Sequence, residues 1–414
     1  MTNLQVEKDL EQMIGDMFAK CRNFTEADEV REAGFYPFFH SISSELGDEV
    51  ILDGKPVIMI GSNNYLGLVN DPRVKEAAAA AARRYGSGCT GSRFLNGTID
   101  LHNELEHKLA AFMGKEAALV FSTGFQANLA AISCLADKND TLVIDRADHA
   151  CIIDGCRLSF GKVAKFQHND MDDLERTLIR VSEGGVRGGI MIIVDGVFSM
   201  EGDIIKLPRL VELAKRFSAR VYVDDAHAIG VLGENGSGTA SHFGLVNDVD
   251  ITSGTFSKSF ASLGGFIAAD AKVIDFVKHF GRAMIFSASI PPSNAAAALK
   301  ALEIMQSEPE RRERLWKICH RMHRELRTLG YNIGKTETPI VPILIGEKVR
   351  TLKFWRMLLD KGVFTNAIIA PAVPAGREIV RTSYTATLTD ECLDRVLEIL
   401  EKVGRATGVL SPAG

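Results

Sequence analysis

The 414-residue sequence predicts an α/β protein: a large domain on a mostly parallel sheet covered on both faces, then a smaller α+β C-terminal domain. Three observations predict it. Short apolar runs such as Ala117–Phe121, Thr141–Asp145 and Ile190–Asp195 alternate with segments of helical periodicity, the pattern of strand–helix–strand units. These runs are apolar at consecutive positions, as strands buried on both faces are. Acids, histidines and a lysine stand at or just past the ends of such runs, where open α/β sheets present their ligand sites.

The expected organisation is an N-terminal segment (1–60), a large domain (61–290) and a small C-terminal domain (291–414). In the first, Leu10, Met13, Ile14, Met17 and Phe18 recur at helical spacing, giving an amphipathic helix over 5–22 that suits packing on a partner subunit. Its acid-rich polar face argues against anionic lipid. A hairpin follows over 50–60, turned at Asp53 and Gly54. Residues 100–113 read as a helix with Leu101, Leu105, Leu109 and Phe112 on one face and Gly114 ending it. Further strands are expected at 221–224, 251–253 and 266–269, with intervening helices including 125–135 and 208–217. Pro208 stands at a first-turn position, where proline is tolerated. The Ile290–Pro292 break and a helix over 294–307 mark the domain boundary. Beyond it lie helices near 309–329, 349–361 and 389–405 and strands near 340–345 and 378–384.

Composition excludes several classes. With 46% hydrophobic and 24% charged residues the chain is an ordinary globular protein. A net charge of −5 and the lack of any Lys/Arg block argue against a nucleic-acid partner. The seven cysteines form no CxxC pair or metal-ligand spacing and read as reduced thiols of a cytoplasmic protein. Cys151 and Cys156, near a candidate site, suit buried structural roles. No metal site is expected. The first residues lack a signal-peptide layout and no apolar run approaches about 18 residues, so a soluble protein is expected. Peripheral contact with the inner membrane face stays open.

The chemistry centres on Lys258, a lone lysine among small and hydroxyl residues in Ser253–Gly265. Partly desolvated, such an amine loses basicity and forms Schiff bases with carbonyl compounds. Upstream, the strand ending at Asp224 runs into Asp225, Ala226 and His227. A rigid carboxylate for a pyridinium nitrogen plus a Schiff-base lysine is what pyridoxal 5′-phosphate (PLP) requires to act as an electron sink. His227 suits a hydrogen bond to the cofactor's phenolic oxygen. Its phosphate needs oriented N–H groups and hydroxyls, and Ser122–Asn128, between a strand and a helix, offers them, with Thr255 and Ser257 beside the lysine.

His149, past another strand end, suits stacking on the cofactor ring, although a lone histidine is as often structural. Arg381, in an alternating strand of the small domain, suits a carboxylate clamp or equally a surface ion pair. The glycine-rich run 86–97, which carries Arg93, reads as a tight functional loop.

As a set, Gly61–Leu68, Gly91–Thr98, Leu101–Glu106, Phe121–Phe125, Asp148–Gly155, Asp195–Gly202, Asp224–His227, Gly254–Lys258 and Phe286–Ser289 resemble the α-oxoamine synthase family of fold-type-I PLP enzymes over nearly the whole chain. Within it the combination of Ser92–Thr98 with Ser257–Gly265 is most similar to the bacterial serine palmitoyltransferase branch. The resemblance implies a large domain on a seven-stranded sheet and a homodimer with its active site at the subunit interface. It implies that Lys258 carries PLP, Asp224 pairs with the pyridinium, His227 meets the phenolic oxygen and His149 stacks on the ring. Gly124, Phe125 and Thr255, with Ser287 from the other subunit, would hold the phosphate; Ser199 would also touch the cofactor, and Arg381 and Asn64 the substrate.

The implied reaction is a decarboxylative condensation of L-serine with a long-chain acyl-CoA. The freed Lys258 amine would remove the serine Cα proton, the carbanion would attack the thioester, and CoA, CO2 and 3-oxosphinganine would leave. His149 would orient the serine carboxylate. Leu and Phe residues near 360–375 are expected walls of the acyl pocket. A relative using glycine or alanine, of the glycine C-acetyltransferase or 8-amino-7-oxononanoate synthase type, keeps the same mechanism. An ordinary aminotransferase shares the fold. Retention of Lys258, His149, Asp224 and His227 together argues against a non-catalytic partner subunit.

Overall fold

The computed structural model describes residues 16–185 and 187–411. Residues 5–15 of the expected 5–22 helix lie outside that range; within it, Ala19–Arg22 is helical. Seven strands build the main sheet: β3 (Ala117–Phe121), β4 (Thr141–Asp145), β5 (Lys162–Phe166), β6 (Ile190–Asp195), β7 (Arg220–Asp224), β8 (Ile251–Thr255) and β9 (Gly265–Ala269). Their order is β3-β9-β8-β7-β6-β4-β5. Strands β8, β7, β6, β4 and β5 run parallel, while β9 is antiparallel to both neighbours.

Alternate residues of each strand enter different cores, which is why the runs are apolar throughout. Leu142 and Ile144 of β4, Ile193 of β6 and Tyr222 of β7 pack with the helices Gly124–Leu135 and Ala150–Leu158. Val143, Ile192, Val194 and Val223 face the helices Met171–Glu183 and Leu207–Arg216 on the other side. These central strands are thus covered by apolar contacts from both faces. Within the main sheet, β5 is the strand that the sequence pattern does not flag. It is an edge strand, with Lys162, Val163 and Lys165 exposed and Phe166 alone fully buried. Lysines on an edge strand block pairing with another chain, and they also erase the apolar signal.

The N-terminal hairpin comprises β1 (Glu49–Leu52) and β2 (Lys55–Met59), paired in register Leu52 to Lys55. Asp53 and Gly54 both take positive φ, 47° and 79°, the two-residue turn whose twist matches a hairpin. Its third strand, Val363–Phe364, arrives from more than 300 residues downstream and pairs parallel to β2, Phe364 beside Met59. The C-terminal part also carries a three-stranded antiparallel sheet of Ile340–Leu344, Ile379–Ser383 and Asn366–Ile368. Helices Pro309–Leu329, Lys348–Asp360 and Asp390–Ala406 accompany it. No helix among the described residues is long and apolar enough to cross a membrane.

The glycine-rich run is held tightly. A Cβ on Gly97 would fall 2.2 Å from the Gly91 carbonyl. Arg93 is buried and spent inside the fold, bridging to Glu106 at 2.7 Å and to Thr98 at 3.1 Å. Its guanidinium is therefore a structural anchor for the loop.

Candidate active site

Parallel strands β6, β7 and β8 carry their C-terminal ends to one edge, so Asp195, Asp224 and Ser253 lie side by side in register. Asp224 is pinned from two directions. Asn128 Nδ2 donates to its Oδ2 at 2.5 Å and the Ala226 N–H donates to its Oδ1 at 2.9 Å. Asn128 is oriented in turn by the Tyr222 hydroxyl, which donates to Oδ1 at 2.6 Å. Asn128 is 1% exposed and Tyr222 fully buried, so water offers neither an alternative partner.

Lys258 stands three residues past β8. Burial lowers its pKa to about 8, against the opposing pull of Asp224 and Asp195. His227 is buried and meets the Tyr65 hydroxyl at 2.7 Å through Nδ1. Burial, then the charge of Lys258, holds its imidazole well below the usual pKa. That ring is neutral at physiological pH.

His149 caps the helix Ala150–Leu158: its Nδ1 accepts from the Cys151 N–H at 3.2 Å. Its own N–H donates to Asp195 at 2.8 Å, fixing the ring's root to the β6 end. Burial again lowers the imidazole pKa. With Nδ1 accepting, the neutral ring carries its proton on Nε2. Phe125 lies edge-on to it, ring centres 6.4 Å apart. Asp195 and its neighbour Asp148 are pushed well up by burial and by the charges around them.

A phosphate corner forms where β8 meets the helix Gly124–Leu135. Thr123 caps that helix by accepting from the Gln126 N–H at 3.1 Å. A Cβ on Gly124 would approach the Thr255 Cβ to 2.9 Å, so the helix start and the Thr255 side chain touch only because glycine stands there. Thr255 and Ser257 hydroxyls are 2.9 Å apart. Helix N–H groups and two hydroxyls are what a phosphate requires.

Arg381 sits mid-strand in Ile379–Ser383, 5% exposed. Its Nε donates to the Ser199 carbonyl at 2.6 Å and its Nη2 to Asn63 Oδ1 at 3.0 Å. No carboxylate among the described residues pairs with it, and burial lowers its pKa. A buried guanidinium held only by neutral groups is costly unless an anion arrives. The surface ion pair is thereby excluded.

One cavity of about 540 Å³ gathers Lys258, Asp224, His227 and His149 with Gly124, Phe125, Thr255, Ser199 and Arg381. Asn63, Asp195 and Asn366 also line it, and sequence reading passes over them. Asn63 and Tyr65 fall inside the quoted Gly61–Leu68 motif, and Asp195 ends a strand as Asp224 does, so a signal existed. Asn128 and Tyr222 gave none. Asn64 lines an adjoining cavity that shares Asn63, Ser257 and Lys258 with the first. Ser287, expected to serve the pocket of a partner subunit, accepts from Gln126 Nε2 of its own chain at 3.0 Å. Among the described residues no cluster suits a metal, and all seven cysteines are free. The amine of low basicity, the pinned carboxylate and the phosphate corner fit PLP.

A profile described as aminotransferase class I and II matches residues 55–400. A serine palmitoyltransferase of Sphingobacterium spiritivorum is 51% identical over 389 residues, covering 94% of this chain and 97% of its own. An 8-amino-7-oxononanoate synthase of Thermoanaerobacter pseudethanolicus is 44% identical, covering 92% of this chain and 96% of its own. Among solved structures, a Sphingomonas wittichii serine palmitoyltransferase superposes with TM-score 0.92 at 36% identity, covering 96% of this chain and 100% of that one. A high-resolution structure of SPT with a PLP internal aldimine gives 0.92 at 35%, with the same coverage. The chain belongs to the aminotransferase class I and II family.

Proposed function

We propose that the chain condenses L-serine with a long-chain acyl-CoA such as palmitoyl-CoA, releasing CoA and CO2 and forming 3-oxosphinganine, the first step of sphingolipid synthesis. The observation that carries this is an amine of low basicity and a pinned carboxylate in one cavity with a buried, anion-free arginine. The cofactor is PLP, which supplies an electron sink for the amino acid's Cα carbanion. Lys258, Asp224, His227 and His149 would hold it by amine, pyridinium, phenolic and ring-face contacts. The helix start at Gly124 and Phe125, with the Thr255 hydroxyl, would hold its phosphate.

Arg381 binds the serine carboxylate, and Asn63 and the Ser199 carbonyl keep its guanidinium aimed. The Lys258 amine takes the Cα proton; a base with a pKa near 8 is well matched to neutral conditions. His149, with its proton on Nε2, donates to the carboxylate or to the oxyanion that develops at the thioester carbon.

The assignment to serine rests on relatives. Serine palmitoyltransferases from four bacteria are 46–51% identical, while the oxononanoate synthases lie at 43–46%. Purified protein with PLP should release CoA from palmitoyl-CoA with L-serine; preference for glycine or alanine keeps the family and overturns the substrate. Arg381→Lys should raise the serine KM about 10- to 100-fold, the loss of one charge-assisted bond, while the KM for acyl-CoA moves far less. Steady-state kinetics on both substrates check this.

A homodimer is supported by exposed apolar side chains: Leu95, Phe280 and Phe286 are 78%, 60% and 75% exposed, and Phe94 lies edge-on to His279. Sedimentation should give twice the chain mass of 45.1 kDa, and Phe286→Asp should shift it toward the monomer with loss of activity.

A further inference from the structure

Outside the cavity, just past the edge strand β5, His168 stands between two carboxylates. Its Nδ1 meets Asp145 Oδ1 at 3.1 Å, and its Nε2 lies 3.2 Å from Asp203 Oδ2. A neutral imidazole has one N–H and a lone pair on its other nitrogen, so only the imidazolium suits both contacts. Asp145, at the end of β4, is fully buried. Burial lowers the basicity of His168, yet the two carboxylates outweigh it and raise its pKa to about 10. The Phe198 ring lies edge-on to the imidazole, ring centres 4.4 Å apart.

Asn169 repeats the bridge. Its backbone N–H donates to Asp145 Oδ2 at 2.7 Å, and its Nδ2 donates to Asp203 Oδ2 at 2.9 Å and to the Ile204 carbonyl at 3.0 Å. These contacts fasten one side of a tight turn, closed where Val197 pairs antiparallel with Ile204. Within the turn stands Ser199, whose carbonyl accepts from Arg381 Nε at 2.6 Å. The turn also rests on the small sheet. Thr338 Oγ1 donates to the Gly202 carbonyl at 2.9 Å, and a Cβ on Gly202 would fall 2.3 Å from the Ile340 carbonyl. The aim of Arg381 therefore depends on a turn that the His168 ion cluster anchors to the main sheet.

We propose that His168, as an imidazolium, is a positioning residue for the amino-acid substrate: it pins the 197–204 turn to the end of β4 and, through the Ser199 carbonyl, holds Arg381 in the orientation that receives the substrate carboxylate. This role rests on the proposed reading of Arg381 as the carboxylate clamp. It concerns the amino acid alone, so it is observable without an acyl donor. Taking the imidazolium away leaves Asp145 and Asp203 facing each other without the cation between them, and their repulsion drives the turn off the strand end.

The test is a titration of holoenzyme with L-serine in the absence of acyl-CoA, followed by the absorbance of bound PLP. It compares wild type, His168→Gln, Asp203→Asn, Arg381→Lys and the combined His168→Gln and Arg381→Lys protein. PLP content is recorded for each, so that a misfolded variant is recognised. Coupling through a positioning network is worth about 3- to 30-fold in affinity. His168→Gln should raise the serine Kd by that factor, and Asp203→Asn should move it in the same direction. The combined protein should bind serine at most about threefold more weakly than Arg381→Lys alone, because residues acting as a unit are not additive. A cluster that merely stabilises the fold gives losses that multiply in the combined protein, and that result overturns the proposal. So does a serine Kd within about twofold of wild type in whichever of His168→Gln and Asp203→Asn retains PLP, or the failure of both to retain it. No serine-dependent change in wild type overturns the amino-acid reading of the cavity, and this inference with it.

Discussion

Lys258→Ala is expected to abolish serine-dependent CoA release to at least about 10³-fold below wild type, because one amine serves as both cofactor anchor and Cα base. Borohydride treatment of wild type should fix a pyridoxyl mass on the peptide containing Lys258, and none in the variant. Lys258→Arg should not restore activity, since a guanidinium keeps the charge but neither deprotonates nor condenses with an aldehyde. The same amine gives a pH signature. Only the neutral form attacks the aldehyde, and burial brings its pKa to about 8, more than two below the usual lysine value near 10.4. The rate at which apoprotein captures PLP should therefore climb about tenfold per pH unit below 8 and level off above it. A rise that continues to pH 10 would show an ordinary exposed lysine and remove the base from the mechanism.

What the sequence discloses and what it hides follow from the range of the interactions. Strands β3, β4 and β6 are legible to the residue because both their faces are buried and each run is apolar through its interior. The edge strand Lys162–Phe166 is hidden because solvent claims three of its five positions. Asp53 and Gly54 disclose the hairpin, since its turn is local. Its third strand is not legible, because register between Met59 and Phe364 is set by packing across the whole chain.

The site divides in the same way. Residues that do chemistry stand at strand ends, where a Lys, Asp or His interrupts an apolar run. Residues that only aim them have no such contrast. Tyr222 looks like one more core aromatic, and Asn128 like one more polar position on a helix. Only the fold brings Asn128 against Asp224, 96 residues on, and Tyr65 against His227, 162 residues on. Arg381 shows the converse: its position is visible in sequence, but its burial without a carboxylate partner decides between clamp and ion pair.

That aiming chain makes a graded prediction. Asp224→Asn replaces the carboxylate that would keep the cofactor's pyridine nitrogen protonated, and should cost about 10² to 10³ in kcat, the size of effect seen when a preorganised electrostatic partner is removed. Asn128→Leu keeps the carboxylate but takes away its 2.5 Å donor and strands the Tyr222 hydroxyl in an apolar core. The loss of one bond to a charged group, about 1.5–3 kcal/mol, corresponds to roughly 10- to 100-fold. Tyr222→Phe removes only the outer, neutral bond and should cost less than tenfold. Activity alone does not separate aiming from folding, so the reading is spectral. If Asn128 and Tyr222 act through Asp224, the pH-dependent absorbance of bound PLP should shift in the same direction in all three variants, largest in Asp224→Asn. The combined Asp224→Asn and Asn128→Leu protein should lose little more than Asp224→Asn alone, because residues acting as a unit are not additive. Losses that add, with an unshifted spectrum for Asn128→Leu, would make the asparagine a core residue that happens to touch the site.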